Sequence, residues 1–501
     1  MLVDANQFPA EFSKKLFDVC IVGAGAAGIT IANKLASSGH EVVILEGGGQ
    51  DFEDKSQELY TGEVHNFLPL DVHRLRFFGG TTNHWSGMCR PLDELDFQAR
   101  KHVDFSGWPI TKGDLVAYEN KAADILKIDH KGPISTWAPA KKPPLKGDSL
   151  TNIGFRFASP GALRFREAFG PQLAASKRIT VLLNCNALNT RRTQNRDHVN
   201  AIECRNYRRD ENRFDIRSRV FVLCMGAIEN ARFLLNDVPD PSHDKKNGHD
   251  FIGNFLMEHP HLKVGYFILK SWPWPLNEEV LPHLNGEWHF VSPSKKFQEL
   301  NRILNCSARL IPYTVMPRKN TARFAERLRQ SLEINMSSPL SPEIENWFDG
   351  EVYLVSEQAP AETSNLMLSD KIDRFGQRKL LLRYSLNNIS IRTLKVVARE
   401  VAKQFAMQDL GRVRLKPWVF DDRPIAPTHG FGGHHMGTTR MADSPSTGVC
   451  DRDGKKFGTD NLFLGGSSVF PTGGHANPTF TIVQMSLRLA DHLNTFLRSR
   501  R

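Results

Sequence analysis

The sequence has no run of about 18 apolar residues, the length a helix needs to cross a bilayer, so no membrane span is expected. Its first segment, MLVDANQFPAEFSKK, lacks a basic start followed by an apolar stretch. No secretory leader is read there, and a cytoplasmic location is expected. Cysteine is sparse: seven residues (20, 89, 185, 204, 224, 306, 450), scattered and with no C-x-x-C pair. That pattern fits neither a disulfide framework nor a thiolate zinc site, and it suits small buried side chains in a reducing compartment. No H-E-x-x-H motif or carboxylate triad accompanies the close pairs His259/His261 and His434/His435, so no metal is expected. Internal repeats, low-complexity linkers and a recognisable nucleic-acid module are also missing. The formal net charge of +10 is spread along the chain, densest at Arg498–Arg501, and reads as a solvated basic surface rather than a nucleic-acid face.

What is present is an ordinary globular composition, 40% hydrophobic and 24% charged over 501 residues, enough for two or three domains. Residues 17–46 read FDVCIVGAGAAGITIANKLASSGHEVVILE. A β-branched run, a helically spaced run ending in glycine and a second strand form a βαβ unit. Gly23, Gly25, Ala26, Ala27 and Gly28 occupy the first turn in G-x-G-x-x-G register. Gly23 permits the tight turn, Gly25 lets a pyrophosphate approach the backbone, and Gly28 lets helix and strand pack closely. Glu46 follows Gly28 by 18 residues and suits a ribose-binding carboxylate. A dinucleotide is expected here. The fingerprint alone does not separate FAD from NAD.

Four further segments bear on the nucleotide: RLRFFGGTTNHWSGMCR (74–90), VFVLCMGAIENARFLL (220–235), GNFLMEHPH (253–261) and the block from His434 to Leu493 containing HHMGTTRM and GGHANPTF. In this order and at these separations they resemble the glucose–methanol–choline (GMC) family of FAD-dependent oxidoreductases. The resemblance covers most of the chain and is weakest over residues 130–180 and 262–345. Within the family it points to the pyranose-oxidase-like and bacterial sugar-dehydrogenase branch, where GGxxxHW and ANPT also occur.

The resemblance implies an α/β fold with an α+β substrate domain: a Rossmann-like FAD-binding domain built from discontinuous segments, and a substrate domain with a large antiparallel sheet. The boundaries follow as residues 16–105, 171–260 and 429–501 for FAD binding, 106–170 for a substrate or lid segment, and 261–428 for the substrate domain. Strand-like HLKVGYFIL, GEVYLVSE and RKLLLRYSL, then helical ISIRTLKVVAREVAKQF, agree with the last of these. Residues 131–147 read as a surface loop or a lid.

The family motif, histidine–x–x–glycine–Thr/Ser, laid over HHMGT selects His434 as the general base and leaves His435 out of register. An uncharged alcohol needs such a base near neutral pH, and histidine suits it. Asn477 would hydrogen-bond the substrate hydroxyl, or it could cap the helix that starts at Pro478. His475, two positions earlier, is a decoy on the same stretch. The resemblance further implies cofactor contacts at Gly79, Gly80, Asn83, Ala187, Gly226, Gly465 and Gly466, with backbone donors at Thr479 and Phe480. His84 would meet the flavin dimethylbenzene edge, with or without a covalent bond. The implied reaction is oxidation of a CH–OH group on a sugar, glycoside or polyol, with hydride passing to flavin N5 and on to O2 or another carrier. A dehydrogenase for a non-sugar alcohol and a redox-silent flavoprotein (a lyase or an FAD-binding partner subunit) stay as alternatives.

Overall fold

The computed structural model describes residues 1–7, 12, 14–128, 145–194, 197–208, 213–237, 247–270, 287–313, 348–421 and 430–500. Of the loop read at 131–147, residues 131–144 lie outside the described residues. Two large sheets and one small one organise the described chain.

The βαβ unit forms as its pattern requires. Strand β1 (Leu16–Val22) is buried almost throughout and pairs in parallel with β2 (Val42–Leu45), with helix α1 (Ala26–Ser37) between them. Burial on both faces explains why these strands read as continuous apolar runs. On its other side β1 pairs in parallel with β3 (Arg213–Leu223). The chain therefore leaves β1 in one direction to reach β2, and returns on the other side of β1. The crevice at the C-terminal ends of β1 and β3 is a topological switch point, where open α/β sheets bind ligands. Leu2–Asp4 and Ile179–Leu183 extend the parallel part beyond β2, and the antiparallel pair Val199–Arg205 and Asn186–Arg192 closes the far end. Leu462–Leu464 adds in parallel beside the end of β3.

Helix α2 (Gly226–Asn236) follows β3 directly. The last helix, which we number α4 (Thr479–Arg498), lies against α1. Ile29, Ile31 and Leu35 of α1 share one buried cluster with Phe480, Val483, Leu487 and Leu493 of α4. A Cβ at Gly28 would stand 2.0 Å from the Gly23 carbonyl oxygen. Gly28→Ala is therefore expected to cost about 1–3 kcal/mol as an overpacked site, read as a lowered Tm and a lowered flavin content.

The second sheet is antiparallel, in the order Gly411–Leu415, β4 (His261–Leu269), Phe348–Ser356, Cys306–Pro312, Glu287–Pro293, Leu150–Phe157 and Met88–Cys89. Helix α3 (Asn388–Met407) covers one face through Leu394, Val397, Val401 and Phe405. Leu262 and Val264 of β4, with Cys306, Ala308 and Leu310, sit beneath it. Strand alternation then turns His261 and Arg309 to the opposite face. One expectation changes here. RKLLLRYSL forms a strand (Arg378–Arg383), but it pairs with Asn365–Ile372 and Glu63–His65 in a separate three-stranded sheet. Its Leu380 and Leu382 pack with Phe233 and Leu234 of α2, which draws the strand to the nucleotide side.

Candidate active site

A cavity of about 620 Å³ opens at the switch point and runs toward the free face of the antiparallel sheet. Three helix starts border it. Gly25 caps α1, Gly226 begins α2 with φ +81°, and Pro478 and Thr479 begin α4. Each start leaves backbone N–H groups without an intrahelical partner and brings a positive dipole end. A Cβ at Gly25 or Gly226 would meet nothing within 4 Å, so open space lies over both turns. Glu46, at the end of β2, lines the cavity and accepts from the backbone N–H of Ala24 and of Gly48, both at 3.0 Å.

Of the residues expected at a cofactor, Gly23, Gly25, Ala26, Ala27, Glu46, Gly80, His84, Ala187, Gly226, Gly466 and Thr479 line this cavity. Gly28, Gly79, Asn83, Gly465 and Phe480 do not. Gly28 packs helix against strand. The Asn83 amide donates to the carbonyls of Phe78 and Gly80, both at 3.0 Å, and so fastens the turn that Gly79 opens with φ +94°. Gly465 bonds its N–H to Leu223 and its carbonyl to Asn230 beneath the cavity floor. The Phe480 side chain is fully buried in the apolar core, and Ile482, two residues on, reaches the cavity instead.

The histidine end is built by two extended segments. Met257 bridges Met436 and Pro260 bridges Phe431, with the His261 N–H on the Gly430 carbonyl and the Gly432 N–H on the His259 carbonyl. Gly433 (φ +69°) and Gly437 (φ +88°) let the chain turn on either side of the pair. This pairing sets His259 against His434, their Nδ1 atoms 2.9 Å apart. Asn477 brings its amide Nδ2 to 3.2 Å from His434 Nε2.

With the amide so oriented, the protons can be assigned. An amide Nδ2 only donates, so His434 Nε2 accepts and is the basic nitrogen. The His434 proton then sits on Nδ1 and is donated to His259 Nδ1. Asn477 is thus not the helix cap that its sequence also suggested. Pro478 holds that position, and the Asn477 side chain turns to the histidine.

His435 lines the cavity too, but with different partners. Its ring packs at 5.8 Å from Phe67, its Nε2 lies 4.0 Å from Glu258 Oε1, and its carbonyl accepts from Ser467. His475 is outside the lining, buried, with Nε2 3.5 Å from Asp93 and its ring edge-on to Phe155.

Burial pushes all of these rings toward the neutral form. His434 and His261 lie well below the usual histidine pKa, and His259 and His435 fall to about 3. Desolvation is the largest cause in each; for His434 the neighbouring His259, His261 and Arg309 add to it. Glu258, fully buried, is pushed up to about 8 by desolvation and is a neutral acid at pH 7. No group of three or more His, Cys, Asp or Glu among the described residues is arranged to hold a metal.

Sequence reasoning passed over His259, His261 and Arg309 as site residues. The first two carried a signal. In EHPH the proline holds the segment extended, which puts residues two apart on one face. Arg309 carried none, being one arginine in a strand.

The family model for GMC oxidoreductase matches residues 360–486, and that for an NAD(P)-binding Rossmann-like domain matches residues 21–71. The C-terminal quarter of the chain thus matches the GMC oxidoreductase family. Among relatives of this chain, a C-glycoside 3-oxidase of Microbacterium trichothecenolyticum is 32% identical over 124 residues, 24% of this chain and 22% of the relative. That match therefore spans about a fifth of the relative. A 2-methyl-1,2-propanediol dehydrogenase of Mycolicibacterium austroafricanum is 22% identical over 95% of each chain. Pyridoxine 4-oxidase from Mesorbium loti has a similar fold, with TM-score 0.57 at 15% identity, covering 95% of this chain and 99% of that one. Formate oxidase has TM-score 0.58 at 16% identity, covering 97% and 99%. The cofactor of this chain is FAD. The cavity suits FAD: the dipole ends of α1 and α2 for a pyrophosphate, open space over two glycine turns, a buried acid at the second strand end, and a third dipole end, that of α4, further along. No helix among the described residues is long and apolar enough to cross a membrane.

Proposed function

We propose that the protein oxidises a CH–OH group of a sugar, glycoside or polyol to a carbonyl, with His434 as general base. The observation that carries this reading is the row His259–His434–Asn477, in which the basic nitrogen of His434, Nε2, lies beside the Asn477 amide at the cavity. The bound FAD supplies the hydride acceptor. His434 Nε2 takes the hydroxyl proton, which makes the hydride of the same carbon a better leaving group. Asn477 Nδ2, 3.2 Å from His434 Nε2, donates to the substrate oxygen and fixes its direction. His259 accepts the Nδ1–H of His434, holds its tautomer and shares the charge that appears when Nε2 is protonated. The start of α4 gives a positive dipole end, with Thr479 N–H as donor, where negative charge builds on the reduced cofactor.

Substrate class is drawn from relatives whose names describe glycoside and diol oxidation, and from the branch motifs. Anaerobic titration with a panel of sugars, glycosides and polyols is expected to bleach the flavin band near about 450 nm. If no member of the panel bleaches it, the reading is overturned. A non-sugar alcohol that bleaches it when no sugar does moves the substrate class to the tailoring alternative. Peroxide formation in air separates O2 from another carrier as acceptor. For His84, which borders the cavity, acid precipitation decides the attachment: yellow colour in the pellet means a covalent bond, and in the supernatant none.

A further inference from the structure

Arg309 lies on the central strand of the antiparallel sheet, points away from α3 and lines the cavity. It is 8% exposed, and neither its Nε nor its Nη2 has a hydrogen-bond partner among the described residues. The Phe155 and Phe290 rings hold the guanidinium at 5.3 and 5.1 Å, packing its faces without supplying a counter-charge. The carboxylates that line the cavity are committed elsewhere. Glu46 serves two backbone amides, Glu229 pairs with Arg74 and Arg232, and Asp373 pairs with Arg232. A buried cation without a carboxylate is costly, and an arginine cannot shed its proton to escape that cost.

We propose that Arg309 is an anion subsite for the substrate, and that the alcohol oxidised here carries a carboxylate, as a sugar acid or hydroxy acid does. This deepens the reaction proposed above and rests on it for the position of the reacting carbon. The two oxygens of a carboxylate match guanidinium N–H geometry, and the charge-assisted bonds form in a site shielded from water. Arg309 stands on the same sheet face as His261, across from the nucleotide strands, which places it at the substrate end of the cavity. Its charge also lowers the pKa of His434, His261, His259 and His475. A bound carboxylate removes that effect and makes His434 a stronger base when the acidic substrate is in place.

The holoenzyme provides the test. Acetate, titrated into the oxidised protein, is expected to perturb the flavin spectrum saturably, and Arg309→Met is expected to weaken it at least about tenfold. Arg309→Lys should fall between the two, since it keeps the charge and loses the fork. In turnover, methyl glucuronoside is expected to exceed methyl glucoside in kcat/KM by at least about tenfold, with the ratio collapsing toward unity in Arg309→Met. The wild-type titration and the wild-type ratio need no variant, so a misfolded Arg309→Met still leaves the proposal open to refutation. Absence of acetate binding, equal binding by wild type and Arg309→Met, phosphate binding as tightly as acetate, or a loss that strikes both glycosides equally together with flavin content would each overturn it. The last of these would assign Arg309 to the cofactor. A panel in which no alcohol bleaches the flavin while acetate still binds would sink the reaction and spare the subsite.

Discussion

His434→Ala is expected to lower kcat by about 10²–10⁴-fold, the range for loss of a positioned general base, while flavin content and Tm stay near wild type. His434 Nε2 is the ring nitrogen next to Asn477, and its own proton is parked on Nδ1 against His259. Removing the ring removes the acceptor and leaves the dinucleotide site untouched, since the starts of α1 and α2 would hold the pyrophosphate and Glu46 the ribose. His435→Ala is the matched control. Its ring is held among Phe67 and Glu258, and the expected fall is within about tenfold, below the range for a lost base. A larger loss in His435→Ala than in His434→Ala would exchange the two roles. His259→Asn probes positioning: kcat should fall with KM little changed, and the acid limb of the kcat profile should move, because the partner that fixes the His434 tautomer is gone.

Stability is expected to drop steeply below about pH 6. In the unfolded chain each histidine takes up a proton near 6.5. In the native state His259 and His435 do so near 3, and His434 and His261 well below 6.5. A base with a depressed native pKa stabilises the fold above the unfolded value, and that contribution is lost as pH falls from 6.5 toward the native value. Between those limits the unfolded state binds up to four more protons than the native one. Four protons correspond to a slope of roughly 5 kcal/mol per pH unit, against a total stability of about 5–15 kcal/mol. Glu258 runs the other way. Its native pKa of about 8, that of Asp96 at about 7 and the raised carboxyl of Asp237 make folding less favourable as pH rises from the usual carboxylate range, against the four rings and the likewise lowered His475, His73, His84 and His289. The sum places maximal stability near neutrality. Thermal melts of the holoenzyme from pH 4 to 8 test this, and a flat Tm across pH 4–6.5 would mean the rings are already protonated in the fold. His435→Asn should make the slope shallower, since it removes one of these rings.

Much of the nucleotide half was legible because its signal is consecutive. Strand, glycine turn, helix, strand and terminal acid follow one another within residues 17–46, and each local preference agrees with the others. The His434–Asn477 pair was legible through motif register. The partner of that pair was not, because His259 reaches His434 only through the bridge between Met257 and Met436, almost 180 residues apart in sequence. Alternation marked Arg378–Arg383 as a strand, yet alternation says nothing of which sheet takes it. Asn83 and Gly79 sit in a glycine-rich turn that looks like a ligand cradle, and they serve the turn itself. Arg309 was illegible for a plain reason: an unpaired buried cation is a property of its surroundings, and those come from four strands.

The packing of α4 against α1 has a consequence for synthesis. The first strand–helix–strand unit emerges from the ribosome early, but the helix that covers it is the last to appear. At roughly 5–20 residues per second, the apolar face of α1 waits about 20 to 90 s for its partner. During that interval Ile29, Ile31 and Leu35 are open to whatever else is nearby. Chaperone supply and translation rate, rather than the stability of the finished protein, should then govern how much of the nascent chain reaches the native state.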